Sequence, residues 1–463
     1  MTRGAWLSDE DAASAVERRT PLWVFIATLV GGVVYLLGFA YGIAKGDTNV
    51  FAGLIVAFPL LLLTAAIARW LAKKDGDPSV FPLVMGAGIV KLLGALVRYW
   101  TAYSVYGGGI DANDYDRWGR TIADGFRHLN PHFDVGGRLL GTNFIKLVTG
   151  IVYTFTPRAR ISGFMCFAFI GFIGLIFYWR AFKIAIPDGN IRKYALLVLL
   201  LPSLVYWPSA IGKDAWMALT LGICAYGAAR LSVNRTASGM TVAILGIGGV
   251  CVVRPHVGIA VFVGLGFALF AMCTQWRNLR RPVGPLVAGL LLVVAGLIVV
   301  QESKRFFGVG SLSSTVITQQ LNTTSQLTNQ GGSSFSPVTV GTNPLKFPLA
   351  FATIFYRPLP IELHNTQGVI AGGESSLIFL FTAISWRSIA AIRKRWRTHP
   401  YVSYCIGFII PFVVMFSVFS NFGILARERC QALPLLLVLL CLPPVRREVD
   451  QDAPIESQLA LIG

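Results

Sequence analysis

Between Gly107 and Gly125 the chain reads GGGIDANDYDRWGRTIADG, gathering Asp111, Asp114, Asp116 and Asp124 beside Arg117 and Arg120 in a protein whose residues are only 13% charged. Carboxylates at this density supply a general base or ligands for a cation. A second group, in PSAIGKDAW, sets Lys213 beside Asp214. Other polar segments add Arg254 and His256 (VVRPHVG), Arg357 (FYRPLP), Glu362 and His364 (IELH), Glu374, and Arg427, Glu428 and Arg429 (LARER). A guanidinium fork binds phosphate oxygens in pairs, so the mixture fits acid-base chemistry on a phosphate-bearing substrate. His256 adds a group that titrates near neutral pH. Glu362, His364 and Glu374, with Asp111, form a candidate ligand set for a divalent metal such as Mg or Mn, against the plainer reading of a loop hydrogen-bond network. Asp214 likewise has a plainer role, as a carboxylate near a helix start where the dipole favours it.

The elements that hold these groups are apolar. The 463 residues are 54% hydrophobic, mean hydropathy is +0.63, and hydrophobic runs of about 15–25 residues recur, the length that crosses a bilayer at roughly 1.5 Å per residue. The expected fold is all-α: a polytopic membrane protein of about 12 transmembrane helices, with re-entrant or interfacial outer helices. The organisation expected is a cytoplasmic segment 1–20, a transmembrane domain 21–445 with outer loops 106–160 and 302–373, and a cytoplasmic tail 446–463. The run before Lys213 carries Pro202 and Pro208, and proline-interrupted spans beside polar groups mark irregular backbone lining a cavity. Ser311 to Thr342, rich in Ser, Thr, Gln, Asn and Gly, reads as an external loop with the makings of a lid.

The formal net charge is +18. Lys and Arg fall mainly between apolar runs, where the positive-inside bias accounts for them, and nucleic-acid binding is not indicated. That bias places both termini in the cytoplasm of a multi-pass cell-membrane protein, and it places every residue of the opening inventory at or beyond an outer span end. Ionisable groups embedded at such positions are functional by default. The seven cysteines lie mostly within apolar runs and read as small core residues rather than disulfides or metal ligands. No Walker-type phosphate loop, GxSxG or HExxH occurs, so ATP-driven transport and Ser or Zn hydrolysis lack support.

DANDYDRWGRTIADG, with Asp111 and Tyr115 in a D-x-x-x-Y arrangement, resembles the first outer loop of the GT-C superfamily of integral-membrane glycosyltransferases. The resemblance implies that Asp111, with Asp114 as second choice, is the catalytic base or a metal ligand. LPSLVYWPSAIGKDAW resembles a segment of distant GT-C and lipid-linked polysaccharide polymerase sequences, and implies that Lys213 lies beside a donor phosphate with Asp214 orienting it. Arg254, Arg357 and Arg427 would join Lys213 there, and Tyr115, His256, Glu362, His364 and Glu374 would support the site. The implied partners are a polyprenyl-phosphate-linked sugar donor, a glycan or lipid acceptor, and membrane lipids, in cell-envelope polysaccharide biosynthesis. In GT-C proteins the acidic loop usually follows the first span, whereas here it follows the third. The outer arginines also resemble those of lipid-linked polysaccharide (O-antigen type) polymerases. A carrier or flippase of an anionic lipid or solute is the reading from another class, although it would place charges at mid-depth and on both faces.

Overall fold

A computed structural model describes residues 22–444 apart from 109, 131–133, 234–235, 276–295, 298–300, 302–318, 320–322, 324, 330–332, 342 and 363–365. The segments expected at 1–20 and 446–463, most of the 302–346 loop, and His364 lie outside the described residues.

The described residues are helical, with no strand; one isolated bridge joins Ser334 to Asn421. In chain order the helices are α1 (Leu22–Lys45), α2 (Thr48–Asp75), α3 (Val80–Trp100), α4 (Ala112–Arg127), α5 (Thr142–Phe155), α6 (Arg160–Ala185), α7 (Ile191–Leu200), α8 (Pro202–Tyr206), α9 (Lys213–Ser232), α10 (Thr236–Val253) and α11 (Pro255–Gln275). After the 276–346 region come α12 (Phe347–Tyr356), α13 (Thr366–Ile384), α14 (Trp386–Arg395), α15 (Pro400–Phe416), α16 (Phe422–Arg429) and α17 (Leu433–Leu440).

Local chemistry sets the ends. Asp47 caps α2 by accepting from the Asn49 and Val50 amides, and Gly76 closes it in the left-handed conformation, φ 63°, that a residue without Cβ adopts freely. Asn421 caps α16 through the Gly423 and Ile424 amides. Leu201 holds extended backbone before Pro202, where helical geometry would clash with the proline ring. The chain therefore bends by 53° between α7 and α8.

Four helices are long and apolar enough to cross a membrane, Thr48–Asp75, Val80–Val105, Arg160–Ala185 and Pro255–Cys273, or six if the bent pairs at 191–209 and 371–395 each count as one. Shorter apolar helices cover 31–45, 237–253 and 400–416. The described residues thus hold four to six of the dozen spans that the apolar runs suggest, and the apolar run at 283–300 lies almost wholly outside them.

The outward faces of α1 to α3 expose Leu36, Leu37, Phe58, Leu62, Leu93 and Val97, a surface suited to hydrocarbon rather than water. Inside, α6 packs closely on α9: a Cβ on Gly174 would collide with the Ala218 backbone, and one on Gly222 with the Gly174 carbonyl. Small residues at a crossing let backbones approach, the usual way membrane helices gain packing energy. At one end of the bundle Asp75 ties α2 to α6 by accepting from Arg180, at 2.7 and 2.6 Å, and pairing with Lys183 at 2.8 Å. About 30 Å away, one length of α3 at 1.5 Å per residue, lies the end that carries Asp111.

Candidate functional site: a charge cluster and an adjoining apolar cavity

Asp111 stands at the amino-terminal boundary of α4, where its carboxylate makes no capping bond. The buried face of α4 runs Ala112, Tyr115, Asp116, Gly119, Ile122, Ala123, a helical repeat that seats the element on α5 and turns Asp111 outward. The other carboxylates of the acidic stretch are engaged by cations. Asp116, 4% exposed, accepts from Tyr153 at 2.6 Å and from Arg120 at 3.0 and 3.2 Å, and pairs with Arg160 at 3.5 Å. It thereby joins α4, α5 and α6. Asp114 pairs with Arg117 at 3.0 Å and with Lys146 at 3.5 Å, and Asp124 pairs with Arg158.

The start of α9 meets the start of α4 directly: a Cβ on Gly212 would lie 3.7 Å from the Tyr115 ring. Burial first, and then the neighbouring Asp111 charge, pushes the Tyr115 phenol up to about 12, so it stays neutral. Asp214 is not spent as a local cap. Its oxygens accept from Arg427 at 2.5 Å and from Arg254 at 3.4 Å, and the Asp214 charge holds Arg427 above the ordinary guanidinium value. Arg254 donates in addition to Glu428, which also accepts from Gln431 at 2.5 Å. Lys213 lies within electrostatic range of Arg254, Asp111, Arg427 and Glu428, and His256 lies beside Arg254 and Lys213.

Four elements, α4, α9, α11 and α16, thus bring together Asp111, Tyr115, Lys213, Asp214, Arg254, His256 and Arg427, with Glu428 added. Arg254, Asp214, Arg427 and Glu428 satisfy one another. The side chains of Lys213 and the exposed Asp111 make no hydrogen bond or ion pair among the described residues. An uncommitted carboxylate and an uncommitted ammonium, set against charges that are already paired, have the chemistry to take a proton and to stabilise an anion.

Arg357, Glu362 and Glu374 are placed elsewhere. Arg357 clamps Glu362 in a fork and stacks over Phe335 and Phe422, at 4.8 and 5.0 Å from the ring centroids. Glu374 accepts from the Ser203 amide at 2.8 Å and from its hydroxyl, and Arg429 pairs with it at 3.3 Å. These residues border a cavity of about 740 Å³ between α3, the 202–207 break, α13 and α16. The proline-interrupted segment therefore does line a cavity. Of the candidate metal ligands, Glu362 and Glu374 are each engaged by an arginine, and among the described residues no three His, Cys, Asp or Glu are grouped to hold a metal ion. His364 lies outside the described residues.

The eight residues of α16 serve both places. Phe422, Gly423 and Ala426 line the cavity, Arg427 and Glu428 face the charge cluster, and the fully buried Arg429 turns back to Glu374, Ser375 and the Arg357 carbonyl. Lys91 and Arg98 were hidden in an apolar run. Lys91, 1% exposed, donates to the Leu204 and Val205 carbonyls at 2.7 and 3.1 Å, which the proline break frees from helical bonding. A lone cation in the middle of an apolar run was the available signal.

No protein-family model matches the chain, and neither a characterised protein nor a solved structure is similar to it at a significant level.

Proposed function

We propose that the protein is an integral-membrane glycosyltransferase of GT-C type, acting at the extracytoplasmic face of the cell membrane in cell-envelope glycan synthesis. It transfers a sugar from a polyprenyl-phosphate donor to an acceptor hydroxyl, with the charge cluster facing outward and both termini in the cytoplasm. The observation that carries this reading is the pair Asp111 and Lys213, uncommitted among the described residues in a cluster whose other charges are satisfied. Asp111 takes the acceptor hydroxyl proton as that oxygen attacks the anomeric carbon in line. The bond from that carbon to the phosphate oxygen breaks, and the electron pair leaves on the polyprenyl monophosphate. Lys213, backed by Arg254 and Arg427, stabilises that developing charge, and because the two arginines are held by Asp214 and Glu428 beforehand little reorganisation is needed. Asp114, tethered by Lys146 and Arg117, holds α4 on α5 and leaves the base role to Asp111.

The test is to supply the protein in lipid nanodiscs with a panel of polyprenyl-linked sugars and to identify the released lipid by mass spectrometry. Polyprenyl monophosphate is expected, and its release should stop in Asp111→Asn. Polyprenyl pyrophosphate with chain lengthening would transfer the reading to a polysaccharide polymerase. Absence of both lipids across the panel would point to transport.

A further inference from the structure

The end of the bundle opposite Asp111 carries a surface of another kind. The chain turns by 64° between α13 and α14, so α14 lies across the bundle end instead of prolonging the α13 axis. One face of α14, with the helical spacing of Ser388, Ala391 and Arg395, is spent on the protein. Ala391 is buried, Ser388 donates to the Leu442 carbonyl at 2.7 Å, and Arg395 pairs with Asp188 at 3.0 Å. Asp188 follows α6 at the end where Arg180 and Lys183 hold Asp75, and this fixes the position of α14.

The other face is exposed and mixed. Trp386 and Ile389, 62% and 39% exposed, carry the exposed stripe of Leu377, Leu380 and Ile384 on α13 round the bend. Arg387, Arg393 and Lys394 are exposed beside it and have no carboxylate partner among the described residues; Arg387 only lies over the Trp386 ring, at 5.5 Å. The start of α7 reaches the same bend: Lys193 lies over the Phe381 ring at 4.4 Å, and Arg192 is exposed. Segments 186–193 and 386–397 together hold seven Lys and Arg against one carboxylate, Asp188. Cations that serve only to orient a span need no particular neighbours. Here they share a bent helix with an exposed Trp and Ile, the composition of a helix lying in the membrane interface. Unpaired cations in that position find their counter-charge in anionic headgroups.

We propose that α14 and the start of α7 form a seat for anionic phospholipids of the bilayer. Trp386 and Ile389 enter the boundary of the acyl chains, while Arg387, Arg393, Lys394 and Arg192 hold the headgroup phosphates. The seat lies at the far end of the bundle from the charge cluster and does not depend on the glycosyl-transfer reading.

The full-length protein in mild detergent would be titrated with phosphatidylglycerol and phosphatidylcholine of matched chains, and with inorganic phosphate as competitor, with bound lipid counted by native mass spectrometry. Phosphatidylglycerol is expected to bind about tenfold or more tightly than phosphatidylcholine, since each cation near an anionic headgroup contributes roughly fivefold. Inorganic phosphate should not displace it, and high salt should weaken the preference, because these cations are exposed. Arg387→Gln, Arg393→Gln and Lys394→Gln combined should erase most of the preference without lowering the melting temperature. Arg387→Lys with Arg393→Lys should keep it, and Asp188→Asn, which frees Arg395, should raise it. Equal binding of the two lipids by the parent would leave this face to a soluble partner and overturn the proposal. A preference unchanged in the triple glutamine variant, or phosphatidylglycerol displaced by inorganic phosphate, would overturn it as well.

Discussion

Glu428→Gln tests whether the buried charges hold the site together. Glu428 and Arg254 are 6% and 8% exposed, and their contact joins α16 to the start of α11 across 174 residues of chain. Removing one partner of a buried pair costs about 3–5 kcal/mol, because the remaining charge is stranded. Two features moderate that figure: a glutamine can still accept one hydrogen bond, and Arg254 keeps Asp214 at 3.4 Å. The expected loss is therefore near the lower bound, about 3 kcal/mol. At roughly 2 °C per kcal/mol for a large domain, the melting temperature should fall by about 6 °C. Differential scanning fluorimetry in detergent reads this, and the shift should persist in high salt, because buried pairs are poorly screened. Arg254→Met combined with Glu428→Met replaces the pair by apolar volume and should recover most of the loss, since Asp214 retains Arg427 at 2.5 Å. A single variant that melts within about 1 °C of the parent, or a double variant that melts below the single, would refute the reasoning.

Asp116→Asn should cost about 2–4 kcal/mol in a thermal melt, since it strands portions of two arginines, whereas Tyr153→Phe removes a hydroxyl shared between Asp116 and the Ala159 carbonyl and should cost about 1–2 kcal/mol; equal losses would contradict the network. The turn from Arg357 to Glu362 should depend on acid. Burial pushes the Glu362 carboxyl up, but the bonds from the Arg357 guanidinium outweigh this and hold it below its ordinary value. A depressed folded value means that this stabilisation is full above the unfolded glutamate value of about 4.3 and is lost as pH falls through the folded one. Hydrogen-exchange protection of the Leu359 amide, which donates to Glu362 at 2.8 Å, should hold from neutral pH down to the unfolded glutamate value of about 4.3 and be lost as the pH falls further; loss on raising the pH instead would exclude this origin.

The parts of the molecule legible in the sequence are those governed by local rules. Apolar runs announced membrane-length helices, Pro202 and Pro208 announced the break, and the placement of Asp111 just before an amphipathic repeat announced an outward carboxylate. Lys213 and Asp214 could be assigned to a helix start, but the partners of Asp214 could not, because Arg427 lies 213 residues away and no periodicity records such a contact. In α16 three consecutive charged residues, Arg427, Glu428 and Arg429, serve two places. Helical geometry turns each by about 100°, and a run polar at every position shows no preferred face. Asp114 and Asp116 looked equivalent to Asp111 in composition; burial and the positions of Lys146, Arg160 and Tyr153 distinguish them. The arginine on Glu374 was equally unreadable, since Arg429 lies 55 residues away.

The central claim is that Asp111 is the base and that the neighbouring carboxylates are scaffold. It is tested most directly by measuring single-turnover sugar transfer in Asp111→Asn beside Asp114→Asn, both reconstituted and both matched to the parent in melting temperature. The account predicts a loss of about 10²–10⁴-fold for Asp111→Asn, the usual range for a general base, with Asp114→Asn retaining transfer within a few-fold. Transfer retained in Asp111→Asn and lost in Asp114→Asn would contradict it.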